Sequence, residues 1–290
     1  MIQCQGITRA GKRCAVTSKS NWTIDSGTLV AGPLLKGGDF CLLHSKPFLT
    51  NASQVEDFEQ MVIFVVDLET TGTDITKDRC VEIAAVHAHN DSRMSCESFA
   101  TTVQVDANIV MERVRAFKVH GITNEEIQQS PSFEEVWYRF EKWIMDVMNS
   151  TTKYNEPDSD DNDTGLPTLL ESPCVVLVAH NGIKFDSPLL LCELLRHQIP
   201  TTIFKDWCFV DTLHVFKDLH PHSCIKLQCL ARDTHTDPGN AHRALDDCIA
   251  LCNISHIFAN RLGISMKHLF SFYLVELDLE SSIAQLTTLM

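Results

Sequence analysis

The chain has 290 residues, 44% of them apolar, and a formal net charge of −14, enough to bury a full core as one large domain or one domain with a small appendage. That charge argues against a broad duplex-binding surface, since such affinity comes from lysines and arginines that release phosphate counterions. It leaves room for a narrow anion-binding cleft, because five of the acids fall between Glu156 and Asp163. The longest apolar runs, such as Met61 to Val66 and Cys174 to Ala179, are too short to span a bilayer. The N-terminus has no basic segment followed by an apolar core, so the expectation is a soluble intracellular protein, nuclear or cytoplasmic. Without a signal sequence, the twelve cysteines are expected to be free thiols or metal ligands rather than a disulfide framework. Cys192, Cys248 and Cys252 lie among apolar residues and read as buried thiols.

Residues 1–50 hold turn-rich sequence and the pattern Cys4, Cys14, Cys41, His44. The Cys41-x2-His44 pair is a usual zinc half-site, and glycines at 6, 11, 37 and 38 supply turns beside the ligands. The expectation is a small Cys3His module with one structural zinc ion. Lys12, Arg13, Lys19, Lys36 and Lys46 make it locally basic, which suits a nucleic-acid or protein partner as well as a solvated surface on a segment that folds around metal.

Residues 51–60 read as a connector. Met61 to Val66 is a continuous β-branched run ending at Asp67, the signature of a buried central strand. Cys80 to Ala88 and Phe99 to Val105 supply two further strands in a meander. Ser132-Phe133-Glu134-Glu135 has the capping-box form, and Phe133, Val136, Trp137, Phe140, Ile144 and Val147 follow at helical spacing. Residues 149–173 are rich in Asp, Asn, Ser, Thr and Pro, with too little apolar surface to repay ordering, and read as a flexible acidic insertion. Then come a buried strand at Cys174 to Ala179, a helix at Pro188 to His197, a strand at Trp207 to Asp211 and a core helix at Ala241 to Arg261. Strands alternating with helices predict a layered α/β domain over 61–262. A helical tail over 263–290 carries Leu269, Phe270, Tyr273, Leu274 and Leu277 toward that domain, with a role in partner binding as the alternative.

Three segments carry the chemistry. Asp67 and Glu69, one residue apart at a strand end, point to the same face. The Thr70-Thr71-Gly72 turn after them offers backbone amides with little steric hindrance. Asp186 follows a buried strand and the polar turn His180-Asn181-Gly182, where Asn181 is placed to orient the acid or touch a substrate; before Ser187-Pro188 it also reads as a helix cap. His242 and Asp247 are five apart, which brings them together only if His242 sits in the loop before the helix. There its imidazole can take up a proton near neutral pH while Asp247 is held rigidly. Asp246 points away from Asp247 by about 100°, and register favours Asp247. Four converging carboxylates repel one another unless cations hold them, and two divalent metals roughly 4 Å apart need about that much oxygen donation. Glu82, inside an apolar strand, must lie near the site or be neutralised by a partner.

This ordered set resembles the DEDDh class of DnaQ-like 3′ to 5′ exonucleases of the ribonuclease H-like superfamily, over residues 61–262. Asp67 and Glu69 match the first motif, Asp186 the second, and His242 with Asp247 the third, in the form His-x-Ala-x-x-Asp. Val81-Glu82-Ile83-Ala84, His120-Gly121-Ile122-Thr123 and Asp211-Thr212 agree as secondary marks. The resemblance implies a mixed five-stranded sheet flanked by helices. It also implies that Asp67 bridges two Mg2+ or Mn2+ ions, with Glu69, Asp186 and Asp247 completing their shells and His242 as general base. The products implied are nucleoside 5′-monophosphates from single-stranded DNA or RNA 3′ ends. The competing reading is a catalytically silent nucleic-acid-binding or scaffold subunit of a replication or RNA-processing assembly; the presence of all five catalytic residue types weighs against it.

Overall fold

The computed structural model describes residues 23–25, 28–31, 60–89, 97–112, 119–153, 173–221 and 223–289. The four proposed zinc ligands, Cys4, Cys14, Cys41 and His44, and residues 154–172 of the acidic insertion lie outside the described residues. Within the N-terminal segment, β1 (Thr23–Asp25) and β2 (Thr28–Ala31) form an antiparallel pair of their own.

The main sheet has six strands in the order β5-β4-β3-β6-β7-β8: β3 Met61–Thr70, β4 Cys80–Ala88, β5 Ser98–Thr102, β6 Cys174–Ala179, β7 Trp207–Asp211 and β8 Val275–Glu276. β3 is central, antiparallel to β4 and parallel to β6, which is parallel to β7. The chain therefore leaves β3, β6 and β7 at one common end of the sheet, and all three segments with proposed site residues converge there. The expected count was five; the sixth strand pairs Val275 with Phe209 and Glu276 with Cys208. Two exposed residues carry no readable alternation, so this edge strand is invisible to pattern analysis. The tail is thus a short helix, an edge strand and an end helix instead of one helical stripe.

The sheet is covered on both faces. One face packs on α5 (Thr212–Leu219), α6 (Leu227–Thr234), α7 (Ala244–Leu262) and α8 (Met266–Phe270). The other packs on α3 (Phe133–Lys153), α4 (Asp186–Arg196) and α9 (Leu279–Leu289). Along β3, Met61, Ile63 and Val65 face the α7 side while Val62, Phe64, Val66 and Leu68 face α3 and α4. Continuing the period of two puts Asp67 and Glu69 on the α7 side. Along β4, Ala84, Val86 and Ala88 take the same side, so Glu82 does too. Small residues let α7 come close: the Cys248 thiol donates to the Ala84 carbonyl at 3.5 Å.

Helix boundaries follow local chemistry. Phe133, Val136, Trp137, Phe140, Ile144 and Val147 are all buried on α3, as their spacing predicts. α3 runs on to Lys153, so the insertion begins later than residue 149. At its start only half of the expected box forms: the Glu135 N–H donates to Ser132 Oγ at 3.4 Å, while the Glu135 side chain turns to Arg139. The complete box lies at α2 (Asn124–Gln129), where Thr123 Oγ1 accepts from Glu126 N–H and the Glu126 carboxylate accepts from Thr123 N–H at 2.7 Å. α7 starts at Ala244, three residues after the expected Ala241, because His242 is left-handed (φ 67°) and Arg243 extended. It ends at Gly263 (φ 67°), whose following N–H, from Ile264, returns to Ala259 O. A remaining short helix, α1, spans Ala107–Glu112.

Cys192, Cys248 and Cys252 are buried thiols outside any disulfide, as their apolar surroundings predict. Cys224 and Cys229 are joined by a disulfide, against the expectation of free or metal-bound cysteines; Cys229 lies in the first turn of α6 and Cys224 just before that helix, with Cα atoms 5.8 Å apart, within disulfide reach. Among the described residues no helix is long and apolar enough to cross a membrane.

Candidate active site

Strand parity aims Asp67 and Glu69 at the start of α7, and a register shift between Glu69 and Thr70 bends β3 where its carboxylates are needed. Asp247, in the first turn of α7, meets them. One ligand atom each from Glu69, His242 and Asp247 lies within 4.8 Å of the others, a spacing suited to one cation. Asp67 stands among the same groups, repelled by the carboxylates of Asp186, Glu69, Asp247 and Glu82. Asp186 arrives from the end of β6. It is the first residue of α4, and the residue before it, Phe185, holds the cap position without a side-chain bond. The cap reading of Asp186 thus gives way: its carboxylate is turned to the site, where backbone groups of Asp186 itself and of Leu68 hydrogen-bond to it.

The electrostatics are those of crowded carboxylates. Burial, then Asp186, Glu69, Asp247 and Glu82 push Asp67 well above the carboxylate range. Burial, then Asp247, Glu82 and Asp186 raise Glu69 to about 8, with Arg243 opposing. Asp186 is lifted to about 7, by burial first and by Asp211 against its backbone hydrogen bonds. Burial also raises Asp247, against the N–H of His242. Each group resists ionising beside the others. Cations would remove that resistance, and an all-carboxylate oxygen set suits hard divalent ions such as Mg2+ or Mn2+.

His242 sits in the loop before α7, exposed, with its backbone N–H donated to Asp247 Oδ2 at 3.0 Å. Asp246 instead accepts from the Asn240 N–H at 2.9 Å. Both acids of the pair thus reach back to hold the loop, but only Asp247 joins the carboxylate cluster. Glu82 has the anticipated partner as well as the anticipated neighbourhood: it accepts from Arg243 and from the Ala244 N–H.

The Thr70-Thr71-Gly72 turn is built largely around itself. Thr70 Oγ1 donates to the Gly72 carbonyl at 2.6 Å, and Thr71 Oγ1 donates to Asp78 Oδ1 at 3.0 Å while accepting from Arg79 N–H. A Cβ on Gly72 would stand 2.5 Å from Asp78 Oδ2. Glycine is therefore favoured there by Asp78 itself, whatever the turn binds. Asn181 is left-handed (φ 69°), with its N–H on Asp211 Oδ1 at 2.9 Å; the same oxygen takes Leu213 N–H and so caps α5. Sequence reading singled out neither Arg243 nor the support that Asp211 gives the Asn181 turn. A carboxylate inside an apolar strand was the signal for a missing cation.

The family model RNase_T, described as Exonuclease, matches residues 64–159, which include the first motif. Over this stretch the chain is similar to the exonuclease family, in line with the motifs read from its sequence. Among curated relatives, a PolC-type DNA polymerase III of Thermotoga petrophila is 28% identical over 70% of the chain, which spans only 12% of that protein's length. An Arabidopsis thaliana protein, Exonuclease DPD1, chloroplastic/mitochondrial, is 27% identical over 75% of the chain and 62% of its own length. In three dimensions, E. coli Exonuclease I in complex with a dT13 oligonucleotide superposes with a TM-score of 0.50 at 16% identity, covering 70% of this chain and 42% of that one. That likeness shows the shared fold.

Proposed function

We propose that this chain is a metal-dependent 3′ to 5′ exonuclease that hydrolyses single-stranded nucleic acid to nucleoside 5′-monophosphates. The observation that carries the proposal is the joining of Glu69, His242 and Asp247 within 4.8 Å, beside an Asp67 repelled by Asp186 and by both of those acids. Carboxylates that resist ionisation together form a costly arrangement in a metal-free protein, and a useful one when it holds divalent ions. The exonuclease name of the Arabidopsis relative supports the same reading.

Asp67, Glu69, Asp186 and Asp247 would hold two Mg2+ or Mn2+ ions. When bound, these supply charge neutralisation for the phosphodiester, a more acidic attacking water and a stabilised leaving 3′ oxygen. The protein's part is geometric and protic. β3 presents two ligands on a rigid strand, α4 and α7 each present one in a first helical turn, and exposed His242 accepts the proton of the attacking water. The Thr70-Thr71-Gly72 turn, directly after Glu69, and Asn181, five residues before Asp186, are the segments we assign to the terminal nucleotide. We also assign Cys4, Cys14, Cys41 and His44 to a structural zinc ion; purified protein should carry about one zinc, lost in Cys41→Ser.

The test is a time course on 5′-labelled single-stranded DNA and RNA of one sequence, with Mg2+, Mn2+ or EDTA, comparing wild type with Asp186→Ala. A metal-dependent ladder shortening from the 3′ end, absent in the variant, is expected. No cleavage of either strand by wild type, with binding retained, would move the assignment to a silent binding module.

A further inference from the structure

Glu82 lies opposite Glu69 in the β3–β4 ladder and is 4% exposed, a carboxylate on the face that otherwise buries Ala84 and Val86. Its oxygens are spoken for by one segment. Arg243 Nη2 donates to Glu82 Oε1 at 2.7 Å, Arg243 Nε to Oε2 at 3.3 Å, and the Ala244 N–H to Oε2 at 3.0 Å. A forked guanidinium plus a backbone N–H fixes both position and direction.

The residue before Arg243 is His242. It holds a left-handed backbone, φ 67°, without being glycine, and such a conformation persists only where its surroundings enforce it. Enforcement comes from both sides: Asp247 Oδ2 takes the His242 N–H, and Glu82 takes the next two residues. The exposed imidazole itself has no hydrogen-bond partner among those described, so its placement depends on its backbone.

We propose that Arg243, locked on Glu82, is a positioning residue that fixes His242 over the carboxylates. The inference rests on the exonuclease reading. Arg243 acts through the loop it anchors, and Glu82 is its anchor on the strand beside the one that carries Asp67 and Glu69. Without the lock, the loop relaxes from its left-handed turn and His242 is correctly placed only part of the time.

The experiment measures steady-state cleavage of a 5′-labelled single-stranded oligonucleotide with saturating Mg2+ by wild type, Arg243→Met, Arg243→Lys and the double variant Glu82→Gln/Arg243→Met. The double variant removes both charges, so a fold burdened by an unpaired Glu82 is not the only comparison. Expected is a kcat lower by roughly a hundredfold, the cost of about 1 Å of misplacement, with KM little changed in Arg243→Met and the double variant, and partial recovery in Arg243→Lys. Hydrogen exchange should quicken at residues 242–244 and stay unchanged across β3. If wild type cleaves and kcat is unaltered in Arg243→Met and in the double variant, the inference fails alone. A rise in KM with kcat preserved would make Arg243 a phosphate contact, and faster exchange throughout the sheet would make the pair purely structural; either result overturns positioning. A wild type that cleaves nothing overturns the exonuclease reading and the inference with it.

Discussion

Glu69 and Glu82 stand directly opposite each other across the β3–β4 ladder, yet they face different partners: Glu82 holds Arg243 and Ala244, while Glu69 faces His242 and Asp247. Like charges directly opposite on a ladder are destabilising. Here one of the two is neutralised by the protein, and the other is among the carboxylates we assign to bound metal. The same division runs through the cluster, where Asp67, Glu69, Asp186 and Asp247 all have their carboxyls pushed up.

Relieving that repulsion should separate stability from chemistry. Asp67→Asn keeps the shape of a group flanked by Asp186, Glu69 and Asp247 and removes its charge. We expect metal-free protein to be stabilised by up to about 4 kcal/mol, the strength of one like-charge pair roughly 4 Å apart at an effective dielectric of about 20. Cleavage should be lost. Paired urea melts in EDTA and cleavage assays check this; a destabilised variant would mean that Asp67 serves packing rather than a metal.

His242→Ala removes an exposed side chain and no packing. Its melting temperature should match wild type, with kcat reduced by about 10² to 10⁴, the usual contribution of a general base. Full turnover by this variant would remove His242 from the mechanism.

The pH dependence of stability follows from the raised groups. Glu69 at about 8 and Asp186 at about 7 lie above the unfolded carboxylate value of ~4. The metal-free folded state therefore binds more protons than the unfolded chain over that interval. Stability from these groups is fully present below ~4 and is lost as pH rises through 7 to 8. Melting temperatures in EDTA should fall between pH 5.5 and pH 8.5, and saturating Mg2+ should flatten the decline because cations replace the protons. Parallel curves with and without Mg2+ would contradict a carboxylate metal site.

Glu193 shows the opposite sign. Burial pushes its carboxyl up, but hydrogen bonds from His197 and Arg79 and the charges of Arg79 and Arg196 prevail and hold it at about 2. Arg79 Nε and Nη2 reach it at 2.8 Å each, and the Cys80 N–H at 3.1 Å. The network ties the start of β4 to α4, the helix that carries Asp186. A depressed carboxyl gives stability that is complete above ~4 and lost as pH falls toward 2. Glu193→Gln should cost about 3 kcal/mol at pH 7, since it leaves buried guanidinium groups unpaired. The difference from wild type should shrink at pH 3 in urea melts. An equal cost at both pH values would show that charge is not the source.

Much of this arrangement was legible because each chemical group is tied to a strong local signal. The β-branched run ending at Asp67 marks the central strand, and its parity dictates which face receives Glu69. The five-residue spacing of His242 and Asp247 required a loop before α7, and the left-handed His242 supplies it. Interactions distant in sequence escaped: Arg243 finds Glu82 across 161 residues, and Arg79 finds Glu193 across 114. No periodicity reports such pairs. The Gly72 turn was read for its openness, whereas Asp78 fills the space that glycine leaves.

The edge strand gives a last test. β8 pairs with β7, and the helix after it, α9, buries Leu279 and Leu286 against the core that contains Trp207 and Phe209. Truncation after Leu274 would leave the β7 edge unpaired and those side chains facing water. Unpaired edges template association, and loss of two buried leucines costs at least ~3 kcal/mol. The truncated protein should unfold at lower urea concentration and should form concentration-dependent oligomers in light scattering. An unshifted midpoint in a monodisperse sample would show that the tail is dispensable, leaving β7 as a stable edge by itself.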